Sequence, residues 1–359
     1  MKFGLFYLPT YLPDVRNLHT MFQNIEEQVV FADQIGIEYV WLVEHHFVRH
    51  GGPMAGNWAL LSHLAAKTQR IRLGTGASVL PLNDPIRVAE MAATLDLLSN
   101  GRVDLGIGRG FLRDEFEAFG VEMRESRERV EEGIDLIKRA WTEDTLAWQG
   151  RFRPPIEGLS VIPKPYQKPH PPIWNACFLS PESFDWTAKE GYELLYVAYH
   201  VDPPLAKERI GWYLDALRKH GRLIEDHEVC TVYHAHFLPT DDVDQLRSLV
   251  GEPMEEYSVA GAEASRRPPD PEAYKGYSAR EDYHGQISFD TYFPGRVLMG
   301  GPDRIMDRIR EMKEAGITQV GLLVDFGSLP QAEIMRSLRL FADEILPRVR
   351  EMEAKETRK

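Results

Sequence analysis

The 359-residue sequence predicts a (β/α)8 barrel, and three observations favour this fold. Eight short apolar runs alternate with longer segments of helical period along the chain. The runs are almost continuously apolar, as in parallel strands that are buried on both faces. Eight such units over this length favour a closed barrel over an open, doubly wound sheet.

The strands are indicated by short runs of β-branched and aromatic residues. Glu38–Val43 is a representative run, and Ile71–Leu80 stops at Pro81. In chain order, the eight predicted strands are Phe3–Leu8, Glu38–Val43, Ile71–Leu80, Val103–Ile107, Pro172–Ala176, Leu194–Ala198, Val229–Phe237 and Gln319–Val324.

The helices are indicated by apolar residues about 3.6 positions apart and by signals at the helix ends. Pro85–Leu98 begins with a proline in its first turn, and Asn24–Gly36 ends at a glycine, a common C-cap. In chain order, the predicted helices are Asn24–Gly36, Trp58–Thr68, Pro85–Leu98, Ser126–Trp141, Pro181–Glu190, Pro204–His220, Asp241–Val250, Pro302–Ala315 and Gln331–Leu346. Nearly every strand is therefore followed by a helix.

Two segments interrupt this rhythm. The proline-rich Asp144–Pro171 is predicted to be an ordered excursion over the surface. Gly251–Gly301 is longer, and a loop of that length in a compact domain is typically a lid or a disordered insertion. We therefore predict one domain over residues 1–350, a lid at 251–301 before the last strand, and a frayed, charged tail at 351–359.

The composition argues against several classes of protein. There are 42 Lys and Arg against 55 Asp and Glu, and the net charge of −13 disfavours nucleic acid and anionic membranes as partners. Cys177 and Cys230 are too few for a disulfide scaffold or a thiolate zinc site. No apolar run approaches the ~18 residues of a membrane span, and no signal peptide is recognisable. These features predict a soluble, cytoplasmic protein.

The end of the second strand carries a candidate catalytic group. In a barrel, the active site forms at the carboxyl ends of the strands. The second strand ends at Glu44, His45 and His46, and if the strand continues that far, alternation sends the two histidines to opposite sides. One could act as a general acid or base while the other packs in the structure, or both could be structural. A metal site is not predicted, since no ligand spacing appears beyond Glu44 itself.

The end of the fourth strand carries an arginine between glycines. Arg109 lies within Gly106–Gly110, where its guanidinium could contact a phosphate. The alternative is a tight turn in which Arg109 pairs with Asp104 or Asp114. The glycines alone are a weak dinucleotide fingerprint.

Two other strand ends suit a ligand that has a flat ring and an anionic group. After the fifth strand, Ser180, Pro181 and Ser183 form a helix start whose amides and hydroxyls suit an anion, although most such starts are only caps. In the third strand, the small residues Gly74–Ser78 would let a flat ring approach the backbone, or would simply fit a crowded interior.

Taken in order, these segments resemble the bacterial luciferase family of flavin-dependent monooxygenases. The resemblance covers residues 1–200 densely and the carboxyl-terminal barrel helices loosely. It is carried by Met1–Gly4, Val40–Phe47, Gly74–Pro81, Pro85–Glu90, Leu95–Asp96, Ser99–Arg102, Gly106–Gly110, Phe119–Gly120, Ser126–Arg127, Ser180–Ser183 and Trp186–Ala188.

The resemblance implies a barrel that binds reduced FMN as co-substrate and forms a C4a-(hydro)peroxyflavin with O2. The first histidine of the family's Glu-His-His-Phe motif is catalytic, which implies that role for His45. A cis peptide bond is implied at Gly76-Ala77, beside the flavin ring. The implied cofactor-binding residues are Glu44, Gly76, Ala77, Arg109, Ser180 and Ser183.

The activity that the resemblance implies is insertion of one oxygen atom into a small organic substrate. Baeyer–Villiger-type oxidation of a carbonyl and hydroxylation both remain open. A separate NAD(P)H:flavin reductase is expected, because no nicotinamide fingerprint is present, and a homodimer is expected from the family. Gly108 stands where the light-emitting subunit has a reactive cysteine, and Leu179 stands near the position of its glutamate, which disfavours light emission.

Two alternatives come from other functional classes. An F420-dependent oxidoreductase of the same barrel family transfers hydride without O2 and needs a basic groove. Arg266-Arg267 is the obvious double arginine near the predicted lid. The second alternative is a non-catalytic flavin-binding subunit, against which the retained His45 argues.

Overall fold

The computed structural model describes residues 1–275 and 288–356, and these residues form twelve strands and twelve α-helices. The strands are β1 (Lys2–Tyr7), β2 (Tyr39–Leu42), β3 (Arg72–Thr75), β4 (Ser78–Val79), β5 (Val103–Gly108), β6 (Leu146–Trp148), β7 (Ile156–Leu159), β8 (Ile173–Cys177), β9 (Glu193–Tyr196), β10 (Val229–Phe237), β11 (Val297–Gly300) and β12 (Gln319–Leu323). The helices are α1 (Leu18–Ile35), α2 (Asn57–Lys67), α3 (Pro85–Leu98), α4 (Arg113–Ala118), α5 (Ser126–Thr142), α6 (Pro181–Glu190), α7 (Pro203–Lys219), α8 (Val243–Ala264), α9 (Phe289–Tyr292), α10 (Pro302–Glu314), α11 (Gln331–Leu340) and α12 (Leu346–Glu356).

Eight parallel strands close into a barrel. Around the ring the order is β1, β2, β3, β5, β8, β9, β10 and β12, and β12 pairs again with β1. Strand β10 is buried along its whole length, as expected of a parallel strand covered on both faces. These eight strands correspond to the eight that the sequence predicts, so the predicted barrel is confirmed.

Aromatic side chains fill the barrel near the amino ends of its strands. The Trp41 and Trp174 rings pack edge to face with their centres 5.1 Å apart, and Tyr39 stacks on Trp41. Gly74 makes room for this packing, because a Cβ atom there would lie 2.1 Å from the Trp41 ring. These rings fill the barrel at the amino ends of its strands, so a ligand is expected at the carboxyl ends.

The prediction of one continuous third strand is wrong. Ile71–Leu80 is divided into β3 and β4, and β4 pairs with β5. The peptide bond between Gly76 and Ala77, in the break, is cis, which confirms what the resemblance implied.

The long loop predicted over Gly251–Gly301 is wrong at both ends. Helix α8 continues through Pro253 to Ala264, and α9 and β11 also lie within the segment. Pro253 is buried, and packing of the helix outweighs the hydrogen bond that its ring nitrogen cannot donate. The predicted tail is likewise helical through Glu356, where Lys355 pairs with Glu351. Residues 276–287 and 357–359 of these two segments lie outside the described residues.

The predicted excursion over Asp144–Pro171 is ordered, as expected. It contains the antiparallel hairpin of β6 and β7. The peptide bonds before Pro163 and Pro169 are cis. Within the described ranges, none of the helices combines the length and the apolar character that a bilayer crossing requires.

Candidate functional site

A cleft of about 1260 Å³, counted with its open mouth, lies at the carboxyl ends of the barrel strands. Segments that follow β1, β2, β3, β5, β8 and β9 contribute to it, and the end of helix α8 covers one side. Its lining includes Phe6, Leu8, Glu44, His45, His50, Gly76, Ala77, Gly108, Arg109, Phe111, Ala176, Cys177, Phe178, Ser180, Ser183, Tyr199, His200, Gly261 and Tyr274. All the predicted site residues therefore meet at one cleft.

His45 is held by a carboxylate that the sequence analysis missed. Its Nδ1 atom lies 3.1 Å from Oε1 of Glu115, and the same oxygen accepts the backbone N–H of His46 at 2.8 Å. Glu115 lies on the short helix α4 and is completely buried. Because Oε1 of Glu115 accepts here, Nδ1 of His45 donates and Nε2 is left to meet a ligand.

His46 faces away from the cleft. Its Nε2 atom lies 3.3 Å from Oε1 of Glu44, and this hydrogen bond raises the pKa of His46. Its ring packs edge to face on Phe119, with the centres 4.8 Å apart. The two histidines therefore lie on different sides, although β2 ends at Leu42 and both belong to the segment that follows it, and His45 is the one that lines the cleft.

Glu44 holds the chain that follows the cis peptide bond. One of its carboxylate oxygens accepts from the hydroxyl of Ser78 at 2.9 Å and from the backbone N–H of Val79 at 3.0 Å. The other accepts from the side chain of Asn83 at 2.7 Å and meets His46. Both oxygens are thus engaged within the protein, which favours a supporting role for Glu44 over the direct cofactor contact that was predicted.

The floor of the cleft is built from small residues. A Cβ atom on Gly76 would lie 3.0 Å from Phe6, and one on Gly108 would lie 3.3 Å from Cβ of Ala77. Cys177 also lines the cleft, and burial raises the pKa of its thiol to about 12, so the thiol is neutral. The floor is therefore flat and uncharged, which suits a planar ring.

Hydroxyls and one arginine gather at the start of helix α6. Ser180 caps the helix by accepting from the backbone N–H of Ser183, and the two hydroxyls are 3.1 Å apart. Nη2 of Arg127 donates to Oγ of Ser180 at 3.2 Å and to Oγ of Ser183 at 3.4 Å. Arg127 was not predicted as a site residue, and the signal that could have found it is its place in the resemblance block Ser126–Arg127.

Arg109 lines the cleft but has other partners than those predicted. Its guanidinium donates to Oγ of Ser126 and to the carbonyl of Ala273, each at 3.0 Å, and lies 4.4 Å from the ring centre of Tyr274. The suggested partners are engaged elsewhere: Asp104 pairs with Arg72, and Asp114 pairs with Arg267. The arginine that the structure joins to the two serines is Arg127.

A family model described as luciferase-like monooxygenase matches residues 1–319. The chain belongs to this family. Among its relatives is the oxygenase component of the flavin-dependent trigonelline monooxygenase of Acinetobacter baylyi, which is 27% identical over 354 residues. That match covers 97% of this chain and 95% of the relative. The chain is thus an enzyme of the flavin-dependent, luciferase-like kind, which confirms that prediction.

Solved structures share the fold over nearly the whole chain. Monooxygenase RslO1 from Streptomyces bottropensis is 30% identical, with a TM-score of 0.80 over 97% of this chain and all of that one. The oxygenating constituent of 3,6-diketocamphane monooxygenase from Pseudomonas putida, a type II Baeyer–Villiger monooxygenase in complex with FMN, is 19% identical, with a TM-score of 0.79 over 97% and 98% of the two chains. An F420-dependent secondary alcohol dehydrogenase is 18% identical, with a TM-score of 0.73 over 96% and 98%. The last two likenesses concern the fold alone.

Proposed function

We propose that this protein is the oxygenase component of a two-component monooxygenase that uses reduced FMN and O2 to insert one oxygen atom into a small organic substrate. The observation that carries the proposal is a cleft that combines Ser180 and Ser183, to which Arg127 donates from outside the lining, with the floor at Gly76-Ala77. The first suits a phosphate, because it joins a guanidinium, two hydroxyls and the start of a helix. The second suits a flat, apolar ring.

The residues of the chain divide the work of such a reaction. Reduced flavin, when bound, supplies the electrons for the reduction of O2. His45 holds or delivers a proton at Nε2, since its Nδ1 is committed to Glu115. Phe6 and Ala176 belong to the apolar lining, which excludes water from the reacting atoms.

The proposal extends to the partners of the enzyme. The name of the trigonelline monooxygenase relative, an oxygenase component, supports a separate NAD(P)H:flavin reductase. A homodimer in the cytoplasm is part of the proposal. The two described cysteines are buried and unpaired, as expected in a reducing compartment. Baeyer–Villiger oxidation and hydroxylation are both compatible with one proton-transfer group at the cleft.

The proposal is tested by Arg127→Gln, with Arg129→Gln as the control on the same helix. Arg129 pairs with Glu125, whereas Arg127 donates to the two serines that line the cleft. Arg127→Gln is expected to weaken binding of reduced FMN by about 10- to 100-fold, the usual effect of losing hydrogen bonds to a charged group. Anaerobic calorimetry measures this, and reduced riboflavin, which lacks the phosphate, should bind equally to both variants. Equal affinity of both variants for reduced FMN would contradict the proposed phosphate site.

The structure does not favour the F420 alternative. An F420-dependent enzyme needs a basic groove, which was expected at Arg266-Arg267. Arg267 forms salt bridges with Asp114 and Glu117, which neutralise its charge. Oxygen consumption with reduced FMN, compared with hydride transfer to F420, distinguishes the two activities directly.

A further inference from the structure

His50 belongs to a wall of the cleft that the proposed function leaves without a role. It follows β2 and is tied to the chain that follows β1, through a bridge to Thr10 and a hydrogen bond from the backbone N–H of Gly51 to the carbonyl of Pro9. In the order of the ring, β1 is directly opposite β8, after which Ser180 lies. His50 is thus fixed across the mouth from the proposed phosphate site.

The imidazole of His50 packs against helix α8, and the next residue, Gly51, packs against His45. Its ring centre lies 4.5 Å from that of Tyr257, edge to face. A Cβ atom on Gly261 would lie 3.5 Å from the ring, and one on Gly51 would lie 2.9 Å from Cδ2 of His45. Nδ1 of His50 is buried and has no hydrogen-bond partner among the described residues.

Other polar groups of the same wall are buried behind His50. The hydroxyls of Tyr199 and Tyr257 are 2.7 Å apart, and Tyr199 lines the cleft. The ring centre of His234 lies 4.5 Å from that of Tyr257, and neither of its nitrogens is paired within residues 1–275 and 288–356. The same holds for the hydroxyl of Thr10. Buried polar atoms are normally paired, and among these groups His50 is the one with an unpaired atom whose residue lines the cleft, which points to a polar ligand there.

The wall is polar but uncharged. Burial lowers the pKa of His50 to about 3, so its ring is neutral at pH 7 and offers one donor and one acceptor. Among the described residues that line the cleft, the carboxylate and guanidinium groups belong to Glu44 and Arg109. Both are engaged in the contacts given above, on the segments that follow β2 and β5. A substrate carboxylate or ammonium at His50 would therefore lose its hydration without meeting an opposite charge.

We propose that His50 is a substrate-recognition residue, and that the wall it forms with Tyr199 takes an uncharged substrate through a carbonyl or phenolic oxygen. This inference rests on the proposed function, because it places the substrate next to His45. A neutral imidazole accepts from a hydroxyl with one nitrogen or donates to a carbonyl with the other, so both kinds of oxygen fit.

The test compares three probes of one shape: naphthalene, 2-naphthol and 2-naphthoate. Binding to the full chain at neutral pH is measured by calorimetry, with and without FMN. We expect 2-naphthol to bind at least about 10-fold more tightly than either of the others. His50→Phe should weaken 2-naphthol about 10-fold and leave naphthalene unchanged, and His50→Asn, which retains a hydrogen-bonding side chain, should restore part of the preference. His19→Phe, on the exposed face of α1, is the control and should change nothing.

Three outcomes would overturn the assignment. The first is that 2-naphthol does not bind. The second is that 2-naphthol binds no more tightly than naphthalene or 2-naphthoate. The third is that both His50 variants prefer 2-naphthol as strongly as the wild type does. The probes are also measured without FMN, so this result is independent of the proposed function. If the wild-type chain does not bind FMN, the proposed function is contradicted. The preference for 2-naphthol measured without FMN then still tests the role of His50.

Discussion

At the scale of single residues, Glu115 decides how His45 meets a ligand. One buried oxygen accepts both from the His45 ring and from the backbone of His46. The ring orientation and the path of the chain after β2 are therefore fixed together. With Nδ1 engaged, a proton can be exchanged with a ligand through Nε2 alone. Glu115 is a positioning residue in this arrangement.

We predict that Glu115→Gln lowers product formation by about 100-fold or more, because an amide can accept or donate and no longer selects the tautomer of His45. The affinity for reduced FMN should change less than about 3-fold. Nitrogen NMR of labelled histidine should show the tautomer of His45 shifting, which a purely structural role of Glu115 would not cause. Glu117→Gln, an exposed carboxylate on the same helix that pairs with Arg267, is the control. An unchanged tautomer together with unchanged product yield would contradict the role of Glu115.

At the scale of secondary-structure elements, the position of α8 depends on a glycine in another segment. Gly327 follows β12, has a φ of +54°, and contacts the backbone of Pro253 in the middle of α8. A Cβ atom there would lie 2.1 Å from the carbonyl oxygen of Pro253. The neighbouring Ser328 donates its backbone N–H to Glu256 at 2.7 Å. Because Gly261 of the same helix packs on His50, the shape of the cleft depends on this contact.

We predict that Gly327→Ala lowers the free energy of unfolding by about 3 kcal/mol, the sum of the left-handed backbone cost and a clash with backbone atoms that cannot rotate away. The matched control is Gly120→Ala. Gly120 has a φ of +66° but no atom within 4 Å of a Cβ there, so only the backbone cost of about 1 kcal/mol applies. Urea unfolding measures both, and equal losses would show that the contact with α8 contributes nothing.

At the scale of the whole molecule, three buried histidines link stability to pH. Burial lowers the pKa of His50 and of His234 to about 3, and that of His236 to about 4. In the unfolded chain each histidine titrates near 6.5. Between pH 6.5 and 4 the unfolded state therefore binds protons that the folded state does not, and the free energy of unfolding falls as the pH falls. Each group contributes about 1.4 kcal/mol per pH unit to this slope.

We predict that His234→Phe lowers the pH dependence of the free energy of unfolding between pH 6.5 and 4 by about 1.4 kcal/mol per pH unit. At pH 7 the substitution should leave the free energy of unfolding unchanged or raise it. The phenyl ring would pack among Tyr199, Tyr257 and Phe326 without two unpaired nitrogens. Chemical unfolding at a series of pH values measures the slope. The control is His19→Phe, a substitution of an exposed histidine, which should keep the wild-type slope. If His234→Phe also keeps the wild-type slope, the link between His234 and pH-dependent stability is refuted.

The sequence alone was sufficient for the barrel. Apolar runs and helical periods are local properties, so the eight strands of the ring follow from them. His45 and His46 follow the end of β2, and contacts with Glu115 and Glu44 hold their rings on different sides. Local signals failed where packing overrode them. The predicted helix Asp241–Val250 ended too early, since the observed helix continues through Pro253 to Ala264, and the apolar run Ile71–Leu80 concealed the break at Gly76-Ala77.

The tertiary structure alone decided which side chains meet. Glu115 lies 70 residues from His45, and Arg127 lies 53 residues from Ser180. No local pattern distinguishes Glu115 from other Glu residues of the chain, and for Arg127 the signal was its place in the resemblance block alone. The alternative partners considered for Arg109, Asp104 and Asp114, pair with Arg72 and Arg267 for the same reason, and the neighbours of His50 come from α8, which packs over the cleft. Periodicity fixes where strands and helices form, because it depends on neighbouring residues. Contacts at the mouth depend on the closure of the ring, which brings distant strand ends to one place.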